Sequence, residues 1–97
     1  MRARRVDANH GEIIAAFRQL GYSVADLSRI GQGIPDLLIA KAGHAALVEI
    51  KDGAKSPSRR KLTLFEKTFR DRWSGAYHVV ESLDDVQKIV THWTNTQ

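Results

Sequence analysis

Gly33-Ile34-Pro35-Asp36-Leu37-Leu38-Ile39-Ala40-Lys41-Ala42-Gly43-His44-Ala45-Ala46-Leu47-Val48-Glu49-Ile50-Lys51 is the stretch that decides the fold. Two apolar runs, Leu37–Ala40 and Ala45–Ile50, flank a short break containing Gly43, which is the pattern of a β-hairpin. With the turn centred between Ala42 and Gly43, Asp36 and Glu49 lie equally far from the centre and so fall opposite each other. Directly opposite side chains have Cβ atoms roughly 5 Å apart, so two carboxylates placed there could share one cation. Successive side chains alternate faces, which puts Lys51 on the face of Glu49 and Leu37, Ile39, Val48 and Ile50 on the other. The hairpin is thus expected to gather two acids and an amine at one end of a sheet whose far face is apolar.

Working outward, Pro35 forces Ile34 toward extended geometry. Ser28 to Gly33 is a polar, Gly-rich loop, and Tyr22 to Leu27 alternates well enough for a preceding strand. Upstream, Ile13, Ile14, Phe17 and Leu20 recur at helical spacing, which predicts a helix over Gly11–Leu20 stopped by Gly21. Asn9 with Glu12 is a capping-box signature at its start. Downstream, Asp52 to Lys61 is a loop with Gly53, Ser56, Pro57 and Ser58. Thr63 with Glu66 is a second capping box, and Leu62, Phe65, Phe69 and Trp73 share one face of a helix over Leu64–Trp73. Ala76–Val80 reads as a short strand. Ser82 with Asp85 then opens a last helix, striped by Val86, Ile89, Val90 and Trp93. The order is α-β-β-β-α-β-α. Short links make the first three strands an antiparallel meander, and the helical crossover makes the fourth strand parallel to the third. The expectation is an α/β fold with a mixed four-stranded sheet flanked by helices.

The chain has 97 residues, room for one domain, with residues 1–6 as a basic arm and 94–97 as a frayed tail. Hydrophobic residues make up 42%, enough for a core without disulfides or structural metal. The absence of cysteine excludes disulfides and thiolate metal sites and fits a reducing compartment. No apolar run approaches the roughly 20 residues of a membrane span, and no apolar signal core follows the basic N-terminus, so a cytoplasmic protein without a membrane partner is expected. The net charge of +4 and a pI near 9.8 suit a polyanionic partner. Lys55, Arg59, Arg60 and Lys61 crowd the loop after the acidic triplet, and Arg4 and Arg5 lie in the arm. Either set reads as solvated surface or as phosphate contacts. The four histidines show no metal-ligand spacing, no Gly-rich phosphate loop precedes a helix, and no Ser-His-Asp arrangement can be argued.

Two converging carboxylates suit a hard cation such as Mg²⁺ or Mn²⁺, which takes oxygen ligands and keeps several waters. Asp36 and Glu49 are the side-chain candidates, and the Ile50 carbonyl is a third. A metal-acidified water is a nucleophile near neutral pH. Lys51 stands where it could orient or deprotonate that water, or offset charge on a phosphate. The triplet acid-x-Lys means little alone, because a chain with 11 acids produces about one by chance. Its weight comes from Pro35-Asp36 opening one strand while Glu49-Ile50-Lys51 closes the next.

These motifs, Gly33-Ile34-Pro35-Asp36-Leu37-Leu38-Ile39 followed by Val48-Glu49-Ile50-Lys51, resemble the PD-(D/E)xK nuclease superfamily. The Gly-x-Gly-Ile-Pro-Asp run and the Leu62-Thr63 helix start are more narrowly similar to the VRR-NUC domain (virus-type replication-repair nuclease), over nearly the whole chain. The resemblance implies a restriction-endonuclease-like αβββαβα core and divalent-metal-dependent cleavage of DNA. It implies metal binding by Asp36, Glu49 and the Ile50 carbonyl, with Lys51 catalytic. It also brings Glu12 toward the same site, a role that competes with helix capping. Where such families often carry a glutamine early in the helix after the lysine, this chain has Glu66, which capping explains. Stand-alone members look like structure-specific nucleases of bacteria and phages acting on branched DNA such as four-way (Holliday) junctions, often as homodimers. A non-catalytic DNA-binding module, or a nuclease subunit of a replication or repair complex, is the alternative. Trp73, Trp93 and Tyr77 are large groups for a small core, so some are candidates for a dimer surface.

Overall fold

Ala42 and Gly43 both adopt left-handed backbone, with φ of 54° and 82°. Two successive positive-φ residues form the tight hairpin turn whose twist matches the strands it joins. That turn pairs Lys41 with His44 and Leu37 with Val48, which is the register expected from the symmetry of the sequence. The structure, a computed structural model, describes residues 7–95, so Arg4 and Arg5 lie outside the described residues. In chain order these form α1 (His10–Gln19), β1 (Ser23–Asp26), β2 (Leu37–Lys41), β3 (His44–Ile50), a 3-10 turn (Pro57–Arg59), α2 (Leu64–Arg72), β4 (Tyr77–Val80) and α3 (Leu83–Asn95). The sheet has four strands in the order β1-β2-β3-β4. β1, β2 and β3 are antiparallel neighbours and β4 runs parallel to β3. α3 continues through Thr94, whose hydroxyl donates to the Val90 carbonyl at 2.9 Å, so the helix extends into the stretch expected to fray. No described helix is long and apolar enough to cross a membrane.

Alternation sends Leu37, Ile39, Val48 and Ile50 to one face, where they are buried with Ile13 and Phe17 of α1 and Val86, Ile89 and Trp93 of α3. Tyr22 closes this core, its ring 5.3 Å from Phe17 and 5.1 Å from Trp93. Pleat and register send Leu38, Leu47, Glu49, Tyr77 and Val79 to the opposite face. α2 supplies no residue to the core cluster. Its Thr63–Glu66 capping box forms as expected, with the Thr63 hydroxyl accepting from the Glu66 N–H and the Glu66 carboxylate accepting from the Thr63 N–H. Its apolar stripe is not buried as a core face would be: Phe65 is 70% and Trp73 43% exposed, and the residue that α2 buries is Glu66.

The expected Asn9–Glu12 capping box does not form. Asn9 stands at the N-cap position but its side chain makes no cap bond. Its Nδ2 instead donates to the Lys51 carbonyl at 3.2 Å and the Glu81 carbonyl at 3.1 Å. α1 is therefore tied at its first turn to the chain just beyond β3 and β4. At α3 the Asp85 carboxylate accepts from the N–H of Glu81 at 2.8 Å, one residue before the expected partner Ser82.

Candidate active site

Asp36 sits one residue ahead of β2, at the end of a loop in which Gly31, Gln32 and Gly33 all have positive φ. A Cβ on Gly33 would lie 2.5 Å from the Phe65 carbonyl oxygen, so this position must be glycine for the loop to lie against the start of α2. The contact fixes the approach of Pro35 and Asp36 to the sheet. Asp36 is buried, and its Oδ2 accepts from the Ile50 N–H at 2.8 Å. The carboxylate is thereby clamped against β3 beside Glu49.

Glu49 is 1% exposed. Burial first, then the charges of Asp36 and Glu66, raise its carboxyl from 4.5 to about 9, and a hydrogen bond with the Asp36 carboxyl adds to this against the opposing pull of Lys51. Near neutral pH Glu49 therefore keeps a proton unless a cation takes its place. Lys51 follows on the same face. Its Nζ lies 2.8 Å from Glu66 Oε1 and 3.9 Å from Glu49 Oε2. The same Glu66 oxygen accepts from the Thr63 N–H at 2.8 Å. Burial acts to raise Glu66, but the bonds from Lys51 and Thr63 outweigh it and hold its carboxyl below the usual range. Capping explains only half of Glu66, whose carboxylate also holds the lysine. The capping signature is visible in the sequence, whereas the bond to a lysine 15 residues away is not.

A hard divalent cation fits this donor set. Two buried carboxyls crowd together until one of them is protonated, and a bound cation relieves that crowding. Among the described residues no three His, Cys, Asp or Glu side chains are grouped to hold a metal between them. Asp36 and Glu49 would therefore hold a cation that keeps much of its water shell, as Mg²⁺ characteristically does.

Glu12 is exposed and borders a cavity of about 630 Å³ with Asn9, Asp52, Arg60, Glu81 and Asp84. Asp36, Glu49 and Lys51 do not border it. The five carboxylates on its rim, Asp85 among them, outweigh Arg60 and give it the wrong sign for phosphate. Of the basic loop, Lys55 pairs with Asp7 at 3.2 Å and Arg60 with Glu81 at 2.6 Å. Arg59 and Lys61 are exposed and make no ion pair among the described residues. One further group belongs to the cluster. The Tyr77 hydroxyl is raised well above its usual range by burial and then by Glu49 and Glu66. Its place on the sheet face of Glu49 was readable only once the parallel register of β4 was known.

The fold has a counterpart among solved structures. A VRR_NUC domain superposes with a TM-score of 0.61 and 31% sequence identity, over 90% of this chain and 99% of that one. No family model matches the sequence, and no curated protein does.

Proposed function

The chain belongs to the VRR-NUC family, and from that premise we propose that it is a divalent-metal-dependent endonuclease that hydrolyses DNA phosphodiester bonds and selects branched DNA such as four-way junctions. A nuclease-family domain follows from the family itself. The metal dependence rests on one observation: Asp36 and Glu49 are buried side by side with Lys51 two residues on, and Glu49 is driven to hold a proton near neutral pH. A site built only to bind DNA gains nothing from buried acids facing an anion.

In this mechanism Asp36, Glu49 and the Ile50 carbonyl would hold Mg²⁺ or Mn²⁺. When bound, such an ion polarises a phosphoryl oxygen and acidifies a coordinated water. Glu49 would bind the cation as the carboxylate, free of the proton it otherwise holds near neutral pH. The Ile50 N–H fixes the orientation of Asp36. Lys51, held by Glu66, keeps a positive charge beside Glu49, where it offsets charge that grows on the phosphate oxygens as water adds and the P–O bond breaks. Arg59 and Lys61 guide the DNA backbone from the loop that follows, with Arg4 and Arg5 as further contacts from the arm.

The reading includes a homodimer. The Phe65, Phe69 and Trp73 stripe lies outside the core, and Leu38 and Val79 are also exposed on the α2 side of the sheet. A second copy covering this surface would set two cleaving centres together, as a four-way junction requires.

The test is cleavage of labelled duplex, flap and four-way-junction DNA with Mg²⁺ or Mn²⁺ against EDTA, alongside a mass measurement in solution. Cleavage should require metal and favour the junction. Asp36→Ala and Lys51→Ala should each remove it while DNA binding survives. Robust cleavage by either variant would sink the site assignment, and a monomeric mass with DNA bound would sink the dimer.

A further inference from the structure

β4 runs alongside β3 with Tyr77 opposite Leu47 and Val79 opposite Glu49. Alternation along β4 points His78 and Val80 to the core face, and Tyr77 to the face that carries Glu49. The Tyr77 ring is half-buried, but its hydroxyl oxygen is wholly buried and has no hydrogen-bond partner among the described residues. Native chains pair the large majority of such groups, so an unpaired buried hydroxyl calls for an explanation. The charged neighbours of this hydroxyl are Glu49, Glu66 and Asp36, with Arg70 opposing them. A phenol keeps its proton near neutral pH, so the hydroxyl stands as an O–H donor on the face that carries Glu49.

From this geometry we propose that Tyr77 is a further substrate-binding residue, its hydroxyl donating to a non-bridging oxygen of the phosphate group that enters beside Glu49 and Lys51. The inference rests on the nuclease reading above and adds to it a residue outside the acid-x-Lys motif. The chemistry is complementary. A phosphate oxygen is a strong acceptor, and Lys51, beside Glu66, and Arg70 of α2 are the nearby groups that carry positive charge. A neutral O–H adds a directed contact without adding a charge for the carboxylates to neutralise. An acceptor that arrives only with substrate also explains why the hydroxyl is buried in the free protein without a structural bond.

Tyr77→Phe keeps the ring and removes only the oxygen. Three measurements separate the outcomes. Unfolding in EDTA should give a midpoint equal to or above that of the wild type, because an unpaired buried group is lost. The midpoint shift induced by thymidine 5′-monophosphate with Mg²⁺ should weaken, corresponding to roughly tenfold lower affinity, as expected for one lost hydrogen bond to a charged group. Junction cleavage should fall by about tenfold in kcat/KM. If Tyr77→Phe lowers the midpoint in EDTA, the hydroxyl has a structural partner and the inference is overturned. It is also overturned if the wild type binds nucleotide and cleaves DNA while Tyr77→Phe does both equally well. A wild type that neither binds nor cleaves sinks the nuclease reading and takes this inference with it.

Discussion

Glu49→Gln removes one of the carboxyls crowded at the end of the hairpin while keeping its size and one carbonyl-type oxygen. Burial, then Asp36 and Glu66, raise Glu49 to about 9 from an ordinary 4.5. Without a cation, the folded chain retains a proton that the unfolded chain releases above pH 4.5. The stability associated with Glu49 is therefore fully present below that pH and is lost as the pH climbs toward 9. One proton of difference is worth about 1.4 kcal/mol per pH unit, so between pH 7 and about 8.5 the wild type should lose roughly 2 kcal/mol. Other shifted groups lie outside this window. Asp26 is held down to about 2, and His78 is lowered from 6.5 and already neutral. The assay is urea unfolding followed by tryptophan fluorescence, with Trp93 buried against Tyr22 as the reporter. In EDTA the wild type should lose stability across the window and Glu49→Gln should stay flat. Millimolar Mg²⁺ or Mn²⁺ displaces the proton, so it should flatten the wild-type profile and raise it by mass action, with little effect on Glu49→Gln. A flat wild-type profile in EDTA, or the same slope in both proteins, would refute the reasoning.

Gly33→Ala puts a methyl group 2.5 Å from the Phe65 carbonyl at a residue with φ of 81°. A loss of at least about 2 kcal/mol is expected on thermal unfolding, and an unchanged midpoint would mean that the loop shifts freely. Asn9→Ala deletes two donations, to the Lys51 and Glu81 carbonyls. It should destabilise by about 1–3 kcal/mol in urea, and a change within error would show that water replaces both bonds. Arg59→Ala should lower the slope of log binding constant against log salt by about 0.9, read by fluorescence anisotropy on labelled DNA. Arg60→Ala should change that slope less, because its guanidinium already pairs with Glu81. Equal slopes for the two variants would remove that distinction.

What was legible in the sequence, and what was not, divides by the range of the interaction. The hairpin register could be read because a tight turn between Ala42 and Gly43 permits one symmetric pairing, and the pairing of Leu37 with Val48 follows from it. The Thr63–Glu66 box could be read because its partners are three residues apart. Asn9 could not, because carbonyls 42 and 72 residues away compete for its amide and win over the local cap. The α2 stripe shows a different limit. Periodicity says that Phe65, Phe69 and Trp73 share a face, but whether the fold covers that face depends on what lies opposite. Several of the departures from local rules share a location. A carboxyl buried until it holds a proton, an aromatic stripe left outside the core, a capping glutamate that also holds a lysine, and a buried hydroxyl all lie on the α2 side of the sheet. On the α1–α3 side, pattern and burial agree for Ile13, Phe17, Val86, Ile89 and Trp93, while Leu20 at the end of the α1 stripe is exposed. Chains tend to break their local rules where they act, and although Asn9 departs from its local cap at α1 as well, the departures gathered on the α2 side support a site at Asp36, Glu49 and Lys51.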